Sequence, residues 1–198
     1  MNKLIHMENS FEFLNQDFTE SHNQLRYYGS NIIDSFKFIF TVYISMVGGS
    51  ITIMSLNAGV NLILLLQTLL SFTVIFGFFI MWYIIELRKY YVKTSRYINE
   101  IRKTHLSALT TDFKNKTDYY TDFEKPPYFS WASSQVLLII ILSFFNSLTL
   151  GILSYVCKMG AFTTGSVITL ISFGIHLSFA WFILRRSDKK STGPKHLS

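Results

Sequence analysis

The sequence predicts an all-α fold: a four-helix transmembrane bundle with an N-terminal amphipathic helix and a cytoplasmic extension of the second span. Three observations predict it. Formal charges vanish from residues 38–85, 126–157 and 159–184. A bilayer core takes about 20 apolar residues per helix, so the first gap holds two spans and the others hold one each. The stretch Glu86–His105 then opens with Glu86, Arg88 and Lys89, carries six Lys or Arg against two acids, and contains no Pro or Gly. It reads as a helix leaving the membrane. Finally, with both termini and residues 86–128 on one side, 17 of the 18 Lys and Arg lie there, and only Lys158 lies opposite. The positive-inside rule makes that side cytoplasmic.

Residues 1–37 form the first segment. Phe11, Leu14, Phe18, Leu25, Tyr28, Ile32 and Phe36 recur at helical spacing, the stripe of a helix with one buried face, and Ser10 stands where a cap would. The opposite face carries little basic charge, whereas a membrane-surface helix usually shows Lys or Arg there. The stripe is therefore expected to pack on Tyr90–Leu109 or on the same helix of a second copy. The first hairpin covers 38–85. Its first span, Phe38 to Met54, holds Ser45, Gly48 and Gly49, small residues that let another backbone approach. An uncharged turn, Ser55 to Asn61, leads to the second span, Leu62 to Ile85, with Gln67, Ser71 and Gly77 inside.

Residues 86–128 carry the basic helix and a loop of mixed charge that ends at Pro126 and Pro127, which stop any helix before the third span. On the basic helix Tyr90, Tyr97 and Ile101 make an apolar stripe, and Glu86 and Glu100 are expected to pair with Lys89/Lys93 and Lys103/Arg96. Arg88, Lys89, Lys93, Arg96, Tyr97, Ile101, Arg102 and Lys103 are the candidate contacts for a partner protein or for anionic lipid headgroups. The second hairpin covers 129–184. Its third span runs from Phe129 to Val156, with Ser143, Ser147 and Gly151 four apart as a close-packing face. A turn at Cys157 to Thr164 and a fourth span from Gly165 to Leu184 follow. Residues 185–198 form a basic tail.

The chemistry legible in the chain is sparse. One cysteine, Cys157, excludes an intramolecular disulfide and any paired-cysteine site. The five histidines show no ligand spacing, so neither metal nor cofactor is expected. No nucleophile elbow, metal-binding HExxH or phosphate loop is present. The basic charge clusters at helix ends, where anionic lipid explains it without nucleic acid. His176 is the ionisable side chain well inside a span, a position that points to proton relays or pore linings. Without an acidic partner it reads first as a neutral imidazole bonded to Ser172, Asn146, Ser143 or a carbonyl. Gln67, Ser143, Asn146 and Ser147, with Ser71, Thr169 and Ser172, make the membrane interior polar. They suit either interhelical hydrogen bonds or a hydrated path through an oligomer.

Gln24-Leu25-Arg26 ahead of the Gly48-Gly49 span, followed by Arg88-Lys89, Arg96-Tyr97-Ile98 and Ile101-Arg102, resembles small bacterial four-span proteins of anti-phage defence loci. The membrane subunit of Kiwa-type systems is one such protein. The resemblance covers the layout of residues 24–105. It implies a membrane effector or membrane sensor working with a cytoplasmic partner. Together with the missing catalytic motifs, the expectation is a non-enzymatic protein of the bacterial inner membrane, within a homo-oligomer, that senses membrane disturbance or receives a signal and acts with a soluble cytoplasmic partner. An oligomeric pore that depolarises the membrane and a small lipid-modifying enzyme are the alternatives.

Overall fold

The computed structural model describes residues 2–55, 60–108, 120–157 and 162–191. The turns at 56–59 and 158–161, the loop at 109–119 and the last seven residues lie outside the described residues, and with them Lys158 and most of the mixed-charge loop. The described residues form four helices, α1 (Asn2–Ser55), α2 (Val60–Ala108), α3 (Ser134–Val156) and α4 (Phe162–Ser191), and a non-helical stretch at 120–133. All four are long and apolar enough to cross a membrane. No strand occurs among the described residues.

Successive helices run antiparallel. Gly77 of α2 meets Tyr43 of α1 and Asn146 of α3, while Gly151 of α3 meets Gly165 and Thr169 of α4. α1 packs on α2 and α3, α3 packs on α2 and α4, and α2 meets α4 over a short stretch. α3 is the central helix. In its most apolar stretch 44% of residues are buried, against 17 to 22% in the other three spans. The remaining apolar side chains, such as Ile51, Phe72, Phe79, Leu170 and Ile175, point outward, which in water would be an aggregation surface and in a bilayer is the solvated one.

Two helices are much longer than a span. At 1.5 Å per residue, 54 residues of α1 and 49 of α2 reach about 80 and 75 Å against a hydrocarbon core of about 30 Å. The amphipathic segment and the first span are thus one helix, because nothing between Ser10 and Phe38 breaks the backbone pattern. Ser10 accordingly lies inside α1 rather than at its start. Beyond the spans the two helices form an antiparallel stem. Tyr28 stacks on Tyr90 with centroids 5.8 Å apart, Tyr97 donates its hydroxyl to Asp17, and Arg102 lies 3.4 Å from His22. The predicted α1 stripe faces α2: Ile32 is fully buried and Leu14, Phe18, Leu25, Tyr28 and Phe36 are partly so, whereas Phe13, Tyr27 and Ile33 are exposed.

Of the expected α2 stripe, Ile101 is buried, on a line with Arg88, Val92, Ile98 and Asn99, whereas Tyr90 and Tyr97 are 50% and 41% exposed. Tyrosine tolerates a half-exposed place because its ring packs while its hydroxyl stays wet. The start of the third span is also corrected. Tyr128 to Ser133 is not helical, and α3 begins at Ser134, with Ser133 in extended backbone as its N-cap.

Candidate functional site at the charged end of the bundle

Within the segment 122–128 the Lys125 N–H serves the Asp122 carbonyl at 3.2 Å. Pro126 and Pro127 have no N–H to donate; the Lys125–Pro126 peptide bond is cis. The carbonyls of Lys125 to Tyr128 take their donors from α2. Arg88, only 3% exposed, donates from Nε to the Tyr128 carbonyl at 3.3 Å, from Nη2 to the Pro127 carbonyl at 3.0 Å, and from Nη1 to Gln135 Oε1 at 2.7 Å. Two turns on, Arg96 donates to the Pro126 carbonyl at 3.1 Å and to Asp188 Oδ1 of α4 at 2.7 Å. Its guanidinium lies 4.7 Å over the Tyr128 ring. Asn99 donates to the carbonyls of Asp122 and Lys125, both at 3.0 Å. Asp188 also accepts from the Tyr128 backbone N–H at 3.3 Å. One face of α2 thereby fastens the connecting segment, the start of α3 and the end of α4 into a joint where the spans become the stem.

This arrangement corrects the expected contact set. Arg88, Arg96 and Ile101 are not open to a partner or to lipid; they are turned into the protein. Arg96 pairs with Asp188 on another helix, α4, at 2.7 Å. Arg102 is half-buried between the rings of Phe18 and Tyr120, at 5.6 and 5.5 Å. Its charge, that of Arg26 and, foremost, burial hold the His22 imidazole below its usual value. Lys89 pairs with Glu86 at 2.8 Å, as the spacing implied. Lys93 and Lys103 are exposed.

The intramembrane polar residues fall into two groups. Gln67 donates to the Val156 carbonyl at 3.2 Å near the opposite end. Asn146 and His176 sit at one level with Tyr43. Tyr43 donates to Asn146 Oδ1 at 3.1 Å, Asn146 Nδ2 lies 3.2 Å from His176 Nε2, and His176 Nδ1 lies 2.9 Å from the Ser172 carbonyl. A carbonyl only accepts, so Nδ1 carries the proton and Nε2 accepts from Asn146. The neutral imidazole is fully used. Ser147 and Ser172 hydroxyls flank Nδ1 at 3.1 and 3.2 Å, and Ser143 bonds back to the Ile139 carbonyl at 2.8 Å. The network crosses α1, α3 and α4 as interhelical glue. His176→Ala is expected to cost about 1–2 kcal/mol, measured by thermal unfolding in detergent, because Asn146 loses its acceptor.

The glycines divide in a way their types do not show. A Cβ at Gly77 would sit 1.8 Å from Tyr43 Oη, and one at Gly151 would sit 2.8 Å from the Gly165 carbonyl oxygen. At Gly48 and Gly49 it would meet nothing within 4 Å, and Ser45 is exposed beside them. Among the described residues nothing packs on the expected Ser45/Gly48/Gly49 face, and Gly151 keeps its close-packing role. Sequence reasoning missed Tyr43, Gly77, Asn99, Gln135 and Asp188. Asp188, the lone acid in the basic tail, and Asn99, a neutral polar residue in the basic helix, were the available signals.

Among the described residues no three or more His, Cys, Asp and Glu side chains come together as a metal site. Four apolar helices, outward apolar faces and a charged joint at one end define a multi-pass membrane protein. No family model, no curated protein and no solved structure matches the chain.

Proposed function

We propose that this chain is a non-enzymatic transducer of the bacterial inner membrane, with both termini cytoplasmic. It receives a disturbance of the bilayer through its spans and passes it to the α1–α2 stem, where a soluble cytoplasmic partner reads it. The observation that carries the reading is the joint. Arg88, Arg96 and Asn99 lie on the helix that is both span and stem, and they hold α3 and α4 through the 122–128 segment. A change in tilt of α4 against α2 must strain the Arg96–Asp188 contact, and α2 runs unbroken from there to Ala108. Packed side chains and hydrogen-bond networks can carry energetic coupling of this kind, and the joint is such a network. The resemblance to membrane subunits of anti-phage defence loci makes phage attack at the envelope the disturbance in question.

The test uses the full chain in bilayers, with spin labels at the exposed Tyr27 and Trp131. Changing lipid chain length from 14 to about 18 carbons alters span tilt and is expected to shift the label separation. Arg96→Asp is expected to abolish the shift, and R96D combined with D188R to restore it. An unchanged distance in the wild type across both lipids would sink the reading.

A second reading, an oligomeric pore, is favoured by the uncovered Ser45/Gly48/Gly49 face on α1, which fits a second copy of this chain. Collapse of membrane potential on expression of the chain alone, followed with a voltage-sensitive dye, would select it over transduction.

A further inference from the structure

We infer that the groove between α2 and α4 on the outer flank of the joint is a binding site for one anionic glycerophospholipid. The inference rests on the charged end facing the anionic leaflet, and it goes further by fixing where on the protein the lipid sits. The groove encloses about 710 Å³. Its α2 wall is Trp82, Glu86, Lys89 and Lys93, spaced four, three and four apart and so on one helical face. Its α4 wall includes Phe182, Ile183 and Arg186, and Tyr128 lies at its back.

The chemistry changes along the groove in the order a phospholipid needs. Toward the spans the lining is apolar: Trp82 and Phe182 are 44% and 57% exposed, and Trp82 packs on Phe179 at 5.7 Å. Toward the stem it is cationic. Glu86 is held by Lys89, whose Nζ lies 2.8 Å from both carboxylate oxygens, so that pair is nearly neutral. Lys93 and Arg186 are different. Neither pairs with an acid among the described residues, and Lys93 rests over the Tyr90 ring at 5.6 Å. Two uncompensated cations beyond an apolar slot fit a phosphate above an acyl chain. Basic grooves between spans at the anionic face of a membrane take lipid headgroups in this way. The short contact between α2 and α4 leaves room for the chain to enter from the bilayer. A lipid seated here would brace the two helices whose relative tilt loads the Arg96–Asp188 contact.

The test is native mass spectrometry of the full chain in neutral detergent, titrated with dioleoylphosphatidylglycerol or dioleoylphosphatidylcholine. The wild type is expected to retain one phosphatidylglycerol in preference to phosphatidylcholine. At about fivefold per cation near an anionic headgroup, Lys93→Gln with Arg186→Gln is expected to reduce that preference about thirtyfold. The charge-matched control Lys37→Gln with Arg26→Gln, at two exposed cations of α1 away from the groove, is expected to leave it unchanged, with both pairs melting as the wild type does. Equal retention of the two lipids by the wild type, or equal loss in the control pair, would overturn the site. So would displacement by glycerol 3-phosphate alone, which would mark a free-anion site. Flotation with phosphatidylglycerol vesicles separates the levels: a chain that floats but shows no preference refutes this site alone, and one that does not float refutes the membrane reading too.

Discussion

Arg88→Ala is expected to destabilise the solubilised protein by about 3–5 kcal/mol, read as a fall in thermal or denaturant midpoint. The reason is the number of acceptors left behind. The Arg88 guanidinium serves the carbonyls of Pro127 and Tyr128 and the side chain of Gln135 at once, from a site only 3% exposed. A buried acceptor stripped of its donor costs about 1–3 kcal/mol; the Tyr128 contact is buried and those to Pro127 and Gln135 are part-buried, and the lost side chain leaves a void beside Tyr91, whose ring lies 5.7 Å from the guanidinium. Arg88→Lys tests the geometry separately. It keeps the charge, but one ammonium cannot replace a planar fork that reaches three acceptors in fixed directions. It is expected to recover less than half of the loss. A loss below about 1 kcal/mol for the alanine variant would mean that water replaces the fork and that the joint is not rigid.

Gly151→Leu is expected to drive α3 and α4 apart, with a cost above about 2 kcal/mol and with lower yield of folded protein. Overpacking a close contact usually costs about 1–3 kcal/mol because neighbours shift. Here an added Cβ meets the Gly165 carbonyl oxygen at 2.8 Å and Thr169 Oγ1 at 2.0 Å. A side chain can rotate away, but a helix backbone cannot. Because α3 and α4 also carry Asn146 and His176, the separation should expose that network, so amide exchange in α4 near Ser172 is expected to rise with it. Gly48→Leu provides the contrast, since nothing lies within 4 Å of that position. It is expected to leave monomer stability within about 0.5 kcal/mol. Any larger effect of Gly48→Leu on assembly size would place a second copy against that face.

The candidate site was only half legible in the sequence. That Glu86–His105 would be helical and would leave the membrane followed from its composition, and the pairing of Lys89 with Glu86 followed from their spacing. Arg88 and Arg96 looked like their neighbours Lys89 and Lys93, one and three residues away on the same basic run. Their burial depends on acceptors that lie 30 to 92 residues further along the chain. Helical periodicity sees neighbours within a few turns and is blind to those partners. His176 was legible as a polar side chain in a span that needs partners. Asn146, Ser147 and Ser172 are the side chains it meets, while Tyr43, at the far end of the chain of bonds, carried no local sign of its role.

By itself the sequence determined the number of spans, their order and the end on which the charge gathers. The physical reason is one-dimensional: a bilayer excludes formal charge over about 20 residues, and that exclusion is written directly along the chain. Only the tertiary structure decided which cations are buried and which glycines are crowded. Those are properties of register between helices. Gly48 and Gly151 are the same residue in similar apolar surroundings, yet of the two Gly151 is the one crowded by another helix; Arg88 and Lys89 are both cations, yet Arg88 bonds residues 127–135 while Lys89 pairs with Glu86 of its own helix.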